Sequence, residues 1–251
     1  MHMGLYDRPY AYDDRPGMQL QPPRTATMQL VAICIVVYLC QLFIGDAITN
    51  TFHLVANWFE RPWRVYQLLT YGFLHSPNDI GHILINMLML GMFGLHLERR
   101  YRREEFLTFY LTAIVFAGLA WSLVEYFVEG PHVVVNAVTG QPAVDPQSGG
   151  PLLRWSPVVG ASGGIAALVV LFACNYPHQQ VLFMFLFPMP MWLVAVIGVI
   201  LDARGAVARS GNVAFTAHLA GAVFGFLYFK FGWRLSEMWQ GKLGNFPLKP
   251  G

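Results

Sequence analysis

Apolar residues along the chain fall into long runs, and the charges between them mark where each run ends. Residues 25–45, 80–97 and 106–124 carry no formal charge, and residues 155–201 form one longer uncharged stretch. About 20 apolar residues cross the ~30 Å hydrocarbon core of a bilayer as a helix. The segment Asn175-Tyr176-Pro177-His178-Gln179-Gln180 breaks the long stretch with a turn signal and divides it into spans near 155–174 and 181–201. A sixth run covers 210–229, between Arg209 and Lys230. The pattern predicts an all-α polytopic membrane protein, a bundle of six transmembrane helices over residues 25–233 with short tails at 1–24 and 234–251. The polar, Tyr/Pro/Arg-bearing residues ahead of the first run are unlike a secretory signal peptide. No internal repeat of 20–50 residues is evident.

Composition supports the same class. Hydrophobic residues make up 55% of the 251 and charged residues only 12%, against about 25% charged in an ordinary soluble domain. A soluble globule and a disordered chain both need more charge than this. Cys34, Cys40 and Cys174 lie in apolar surroundings without a CxxC, so neither a disulfide framework nor a metal site is indicated. The net charge of +2 is small and scattered, which argues against a nucleic-acid partner.

Lys and Arg set the expected orientation. With six spans, one side holds Arg8, Arg15, Arg24, Arg99, Arg100, Arg102, Arg103, Lys230, Arg234, Lys242 and Lys249, and the other only Arg61, Arg64, Arg154, Arg204 and Arg209. The excess predicts both termini in the cytoplasm, with the plasma membrane as the expected location. Loops 46–78, 129–154 and 202–209 then face outward.

Polar side chains within spans are costly and need a reason. The candidates are His82, Asn86, His96, Ser162, Cys174 and His218, with Glu125 near a span end. His82 and Asn86 lie in the first two outer turns of the second span, on one helix face at i and i+4. At 1.5 Å per residue, Ser162 and His218 lie about 10 and 12 Å below the outer surface. Four polar groups on three helices thus share one level, whereas His96 sits near the opposite end. A lone serine in such a helix is more often a packing residue, and a lone histidine more often interhelical glue. The shared depth favours a single site.

The neighbourhood of Ser162 sharpens this reading. Gly160, Gly163 and Gly164 crowd it, and Gly221-x-x-x-Gly225 follows His218, so two small-residue surfaces can bring the helices close enough for a Ser–His hydrogen bond. Pro157 and Gly160 predict that the regular helix starts only near residue 160. A helix from 160 to 174 is about 22 Å long, too short for the core. Its N-terminus would be sunken beneath an irregular segment beside a water-filled cavity, leaving the Ser162 N–H unpaired.

These segments resemble the rhomboid family of intramembrane serine proteases. Gly160-Ala161-Ser162-Gly163 resembles the family's Gly-x-Ser-Gly, and Ala217-His218-Leu219-Ala220-Gly221-Ala222-Val223-Phe224-Gly225 its Ala-His-x-x-Gly-x-x-x-Gly. His82-Ile83-Leu84-Ile85-Asn86 resembles its His-x-x-x-Asn, and Leu69-Thr70-Tyr71-Gly72-Phe73-Leu74-His75 and Glu98-x-Arg100 resemble its flanking segments. The likeness covers residues 25–233 in order. Two departures stand out. Tyr66-Gln67 occupies the place of a common Trp-Arg, with Trp63-Arg64 three residues earlier, and Ala166 replaces an aromatic that packs on the histidine.

The resemblance implies cleavage of peptide bonds within or beside transmembrane segments of membrane-protein substrates, without a cofactor. It implies Ser162 as nucleophile, His218 as its base and then acid, and an oxyanion site formed by the Ser162 N–H with His82 and Asn86. No Asp or Glu is expected at this depth, so a dyad is expected; Asp79 reads as the cap of the second helix. Pro188-Met189-Pro190 is expected to bend the fifth helix, which the family implicates in substrate access. Rival readings are a catalytically silent rhomboid-like binding or chaperone protein and, less well supported, a His-lined transporter using His75, His82 and His218. The oligomeric state is open.

Overall fold

Three helix starts in this chain are tied down by polar side chains, two of them by carboxylates from distant segments. Thr25 caps α1 (Ala26–Ile44), its side chain accepting from the Met28 N–H. The buried carboxylate of Glu98 adds a second cap from far along the sequence, accepting from the Ala26 and Thr27 N–H groups at 2.7 and 2.8 Å and from the Thr27 hydroxyl at 2.8 Å. Asp79 caps α4 (Ile80–Tyr101), accepting from the His82 N–H, as the sequence predicts. At the other end of the chain, buried Glu105 accepts from the Leu235 and Ser236 N–H groups, both at 2.9 Å, and so caps α9 (Leu235–Trp239). The computed structural model describes residues 25–136, 139–183, 186–208 and 215–239. The expected N-terminal tail, the C-terminal tail from 240 and the start of the expected sixth span at 210–214 lie outside the described residues.

The other helices are α2 (Asp46–Phe52), α3 (Gln67–Thr70), α5 (Arg103–Val124), α6 (Ser162–Asn175), α7 (Met191–Ala208) and α8 (Phe215–Phe231). A π-turn over Glu125–Glu129 extends α5. Among the described residues, α1, α4, α5 with its extension and α7 are long and apolar enough to cross a membrane, while α6 and α8 are shorter apolar helices. Large apolar side chains such as Val36, Phe43, Ile44, Ile200 and Val207 are exposed on α1 and α7, as lipid-facing surfaces would be.

Helix α6 lies at the centre, packing against α4, α5, α7 and α8, most extensively against α8. Its buried face combines small residues (Gly163, Gly164, Ala167) with Ile165, Leu168, Leu171 and Phe172. Apolar area adds little driving force in lipid, so close backbone approach must hold such helices together. A methyl group at Gly221 of α8 would overlap the Gly163 carbonyl of α6, and one at Gly225 would overlap the Ala167 carbonyl.

Two expectations are corrected. Residues assigned to the start of the fifth span form a ribbon, with β5 (Gln180–Phe183) antiparallel to β6 (Phe187–Pro190). Pro188 and Pro190 lack an N–H and cannot sit inside a helix, but a two-stranded ribbon has outward edges that need no donor. Pro188-Met189-Pro190 therefore precedes the helix and does not bend it, and α7 begins at Met191. The helix then runs through Ala208, so the loop expected at 202–209 is helical over its described part and Asp202 lies on α7.

Short ladders brace the segment before α6. Strand β1 (Leu54–Val55) pairs with β4 (Pro157–Val158), and β2 (His132–Val133) pairs with β3 (Leu153–Arg154). The Tyr71 carbonyl accepts the Gly160 N–H at 2.9 Å, while the Tyr71 hydroxyl donates to the Ile114 carbonyl at 2.8 Å. The loop between α1 and α4 is thereby fastened both to α5 and to the chain that delivers Ser162.

Gly221→Ala should lower stability by about 1–3 kcal/mol or more, because neither backbone can yield to the added methyl. Gly198 on α7 faces open space, so Gly198→Ala should be neutral or stabilising by up to about 1 kcal/mol. Detergent melting of both variants checks the contact, and equal melting temperatures would contradict it.

Candidate active site

Ser162 is the first residue of α6, and the backbone before it places it there. Gly160 has φ +131°, a left-handed conformation that favours glycine, and its N–H is held by Tyr71. Ala161 occupies the N-cap and offers no side-chain acceptor. The opening amides of α6, the Ser162 N–H first, are thus free of a capping side chain and stand at the positive end of the helix dipole. With 14 residues, α6 is about 21 Å long, short of the hydrocarbon core as the sequence predicts.

His218 lies in the first turn of α8. Its Nε2 is 2.8 Å from the Ser162 Oγ, the approach that the Gly163–Gly221 contact makes possible. Its Nδ1 is 2.9 Å from Oδ1 of Asp202 on α7. Both members of this second pair are part-buried, with side-chain exposures of 18% and 23%. The Phe215 ring meets His218 edge-on at 6.4 Å between centroids. Asp202 and Phe215 thus flank the imidazole in a chain where Ala166 supplies no aromatic support.

His82 approaches the serine from α4. A methyl group placed on Gly160 would lie 2.9 Å from the His82 Nε2 and 3.5 Å from the Ser162 Oγ. The small space left by that glycine is therefore bordered by the serine and by a ring nitrogen. Asn86, one turn further along the same face, is buried, and its Nδ2 has no hydrogen-bond partner among the described residues. A buried donor left without an acceptor costs about 1–3 kcal/mol, which a water or another acceptor taking up this N–H would offset.

The other polar candidates lie elsewhere. His96 is exposed and bonds its own helix at the Met92 carbonyl (2.8 Å). Cys174 lines an apolar groove between α6 and α7, with Val170, Trp192 and Val196. Glu125 pairs with His132 at 3.0 Å. Three residues the sequence left unassigned matter to the arrangement. Asp202 carried a signal, being an acid directly after an apolar run, but an assumed loop position hid it. Tyr71 braces Gly160. Gln41 of α1 accepts the His75 N–H at 3.1 Å and donates to the His75 carbonyl at 3.0 Å, so it clamps the chain ahead of α4.

Fold and site together define a polytopic helical membrane protein with a serine–histidine pair at a part-buried helix N-terminus. A rhomboid domain profile matches residues 62–235, and the chain belongs to the rhomboid family. It is 29% identical over 168 residues to Rhomboid protein 1, mitochondrial, of Saccharomyces cerevisiae, covering 66% of this chain and 41% of that protein. It is 28% identical over 184 residues to RHOMBOID-like protein 12, mitochondrial, of Arabidopsis thaliana, covering 72% of this chain and 50% of the relative. The Presenilin-associated rhomboid-like protein, mitochondrial, of Bos taurus is 26% identical over 191 residues, covering 70% of this chain and 43% of its own length. The chain thus spans half or less of the length of these relatives. Each is named as mitochondrial, which overturns the expected plasma-membrane location and points to mitochondria.

His75, in the loop before α4, is fully buried and meets the His82 ring edge-on at 5.2 Å. Burial, reinforced by the charge His82 can carry, pushes its pKa down to about 4, against a small opposing effect of the Phe73 carbonyl. The unfolded chain therefore takes up this proton first. The stabilisation is fully present above pH ~6.5 and is lost as pH falls toward 4, by about 3 kcal/mol. Melting temperatures measured from pH 7 to 4.5 should fall less steeply for His75→Phe than for the unsubstituted protein. Parallel curves would remove His75 as a source of the acid sensitivity.

Proposed function

We propose that the chain is an intramembrane serine endopeptidase that cleaves within or next to transmembrane segments of membrane-protein substrates. The observation that carries this reading is the 2.8 Å contact between the Ser162 Oγ and the His218 Nε2, with the Ser162 amide free at the start of α6. His218 takes the hydroxyl proton as Oγ attacks the scissile carbonyl, then returns it to the departing amine as the C–N bond breaks. The oxyanion lies where the Ser162 N–H, the His82 Nε2 and the Asn86 Nδ2 can donate to it. The unpartnered Asn86 amide and the space beside Gly160 support that assignment.

The proposed topology has six crossings, α1, α4, α5, α6, α7 and α8, with both termini on the Arg-rich side. Helix α6 starts below the opposite surface, which lets water reach Ser162 through the braced segment above it. The membrane follows the relatives' naming and is mitochondrial.

A fluorophosphonate applied to purified protein should label Ser162. Labelling should vanish in Ser162→Ala and fall at least about 10²-fold in His218→Ala, while a chelator changes nothing. Undiminished cleavage of a transmembrane substrate by Ser162→Ala would end the serine-protease reading. Asn86→Ala separates oxyanion chemistry from helix packing. An oxyanion donor costs about 10²–10³ in kcat when removed, whereas an interhelical contact costs roughly 0.6–2 kcal/mol of stability with turnover retained. The expected result is a melting temperature within a few degrees of the unsubstituted protein and loss of most of kcat.

A further inference from the structure

A carboxylate placed at the end of an apolar run is expensive unless something uses its charge. The apolar run of α7 ends at Asp202, and the helix continues for six residues to Ala208. It therefore holds Asp202 on its regular surface, with Oδ1 2.9 Å from the His218 Nδ1. The opposite ring nitrogen is 2.8 Å from the Ser162 Oγ. Serine, histidine and acid thus lie in one line across three helices.

The chemistry of that line is directional. An ionised carboxylate only accepts hydrogen bonds, so Nδ1 must carry the imidazole proton. Nε2 is then left with its lone pair toward the serine hydroxyl, the tautomer a general base needs. We propose that Asp202 is a positioning residue for His218, which holds that tautomer and balances the imidazolium formed during acyl transfer. The inference rests on the protease reading and extends its serine–histidine pair with an acid from α7. When Oγ bonds the scissile carbon, its proton passes to Nε2. Asp202 keeps its negative charge and takes no proton, and the Nε2 proton then leaves on the amine as the C–N bond breaks.

Few groups compete for this role. Facing His218 are Ser162 from α6, Asp202 from α7, His82 from α4 and, within α8, the uncharged ring of Phe215. The carboxylate that α5 brings to α8 is Glu105, which accepts from the Tyr228 hydroxyl, and Tyr228 is ten residues or about 15 Å along the helix from His218. Asp202 is accordingly the negative charge among the described residues that touches the ring.

The test compares the unsubstituted protein, Asp202→Asn, Asp202→Glu and Asp202→Ala in lipid, with cleavage of a transmembrane substrate followed across pH. Asparagine can turn its amide toward Nδ1 and favour the opposite tautomer. Asp202→Asn should therefore lose about 10²–10⁴-fold in kcat, with KM within about threefold. Asp202→Glu should recover at least about tenfold over Asp202→Asn. Across pH, the kcat/KM profile of Asp202→Ala should differ in shape from that of the unsubstituted protein, a change that lost stability alone would not produce. A readout independent of turnover is the ¹⁵N spectrum of His218 in Ser162→Ala. It should show a protonated Nδ1, and adding Asp202→Ala should remove that preference.

Failures of the two ideas differ. If the unsubstituted protein neither cleaves nor reacts at Ser162, the protease reading falls and this inference falls with it. If the protein is active while Asp202→Asn keeps its kcat and Asp202→Ala its pH profile, Asp202 has no positioning role, whatever the melting temperatures. An Nδ1 signal that survives Asp202→Ala would overturn the inference even if these variants were too unstable to assay.

Discussion

Everything at the site depends on two backbones touching. Gly221 of α8 lies so close to the Gly163 carbonyl of α6 that any side chain would force the helices apart, and the contact recurs one turn on between Gly225 and Ala167. Hydrophobic burial drives little association inside a membrane, and close packing of small residues takes its place. The same contact fixes the distance between Ser162, one residue before Gly163, and His218, three residues before Gly221. Stability and chemistry therefore share a single surface, and loosening one loosens the other.

A second constraint concerns the start of α6. Three helix starts in this chain are capped by side chains, α1 by Thr25 and Glu98, α4 by Asp79 and α9 by Glu105. Helix α6 begins behind Ala161 with no such side chain. The difference leaves open amides at the point where a negative charge would develop during acyl transfer. The Tyr71–Gly160 bond and the β1–β4 ladder hold the irregular chain before it in place.

Legibility followed the length scale of each signal. The long charge-free runs of α1, α4 and α5 could be read to within a few residues, because hydropathy needs only local sequence. Glycines and polar side chains around Ser162 and His218 could be read as well, because small-residue spacing and helix rise are fixed quantities. Two-residue ladders carry no periodicity, and β1–β4 could not be anticipated. The α7 segment failed for a definite reason: the apolar stretch at 181–190 has the composition of a span, yet its two prolines remove it from any helix. Because the helix starts at Met191, its end lies past Asp202, and the acid reaches the imidazole from a helix instead of from a loop. The partnership of Tyr71 with Gly160 joins residues far apart in sequence that only the tertiary fold brings together.

The most direct measurement is an experimental structure, in lipid, of the protein after reaction with a small fluorophosphonate. Phosphorus should be bonded to the Ser162 Oγ, with the phosphonyl oxygen within about 3 Å of the Ser162 N–H. His82 Nε2 and Asn86 Nδ2 should point at that oxygen, with His218 still adjacent to the serine. An adduct on another residue, or a Ser162 adduct whose oxygen faces none of these donors, would contradict this arrangement.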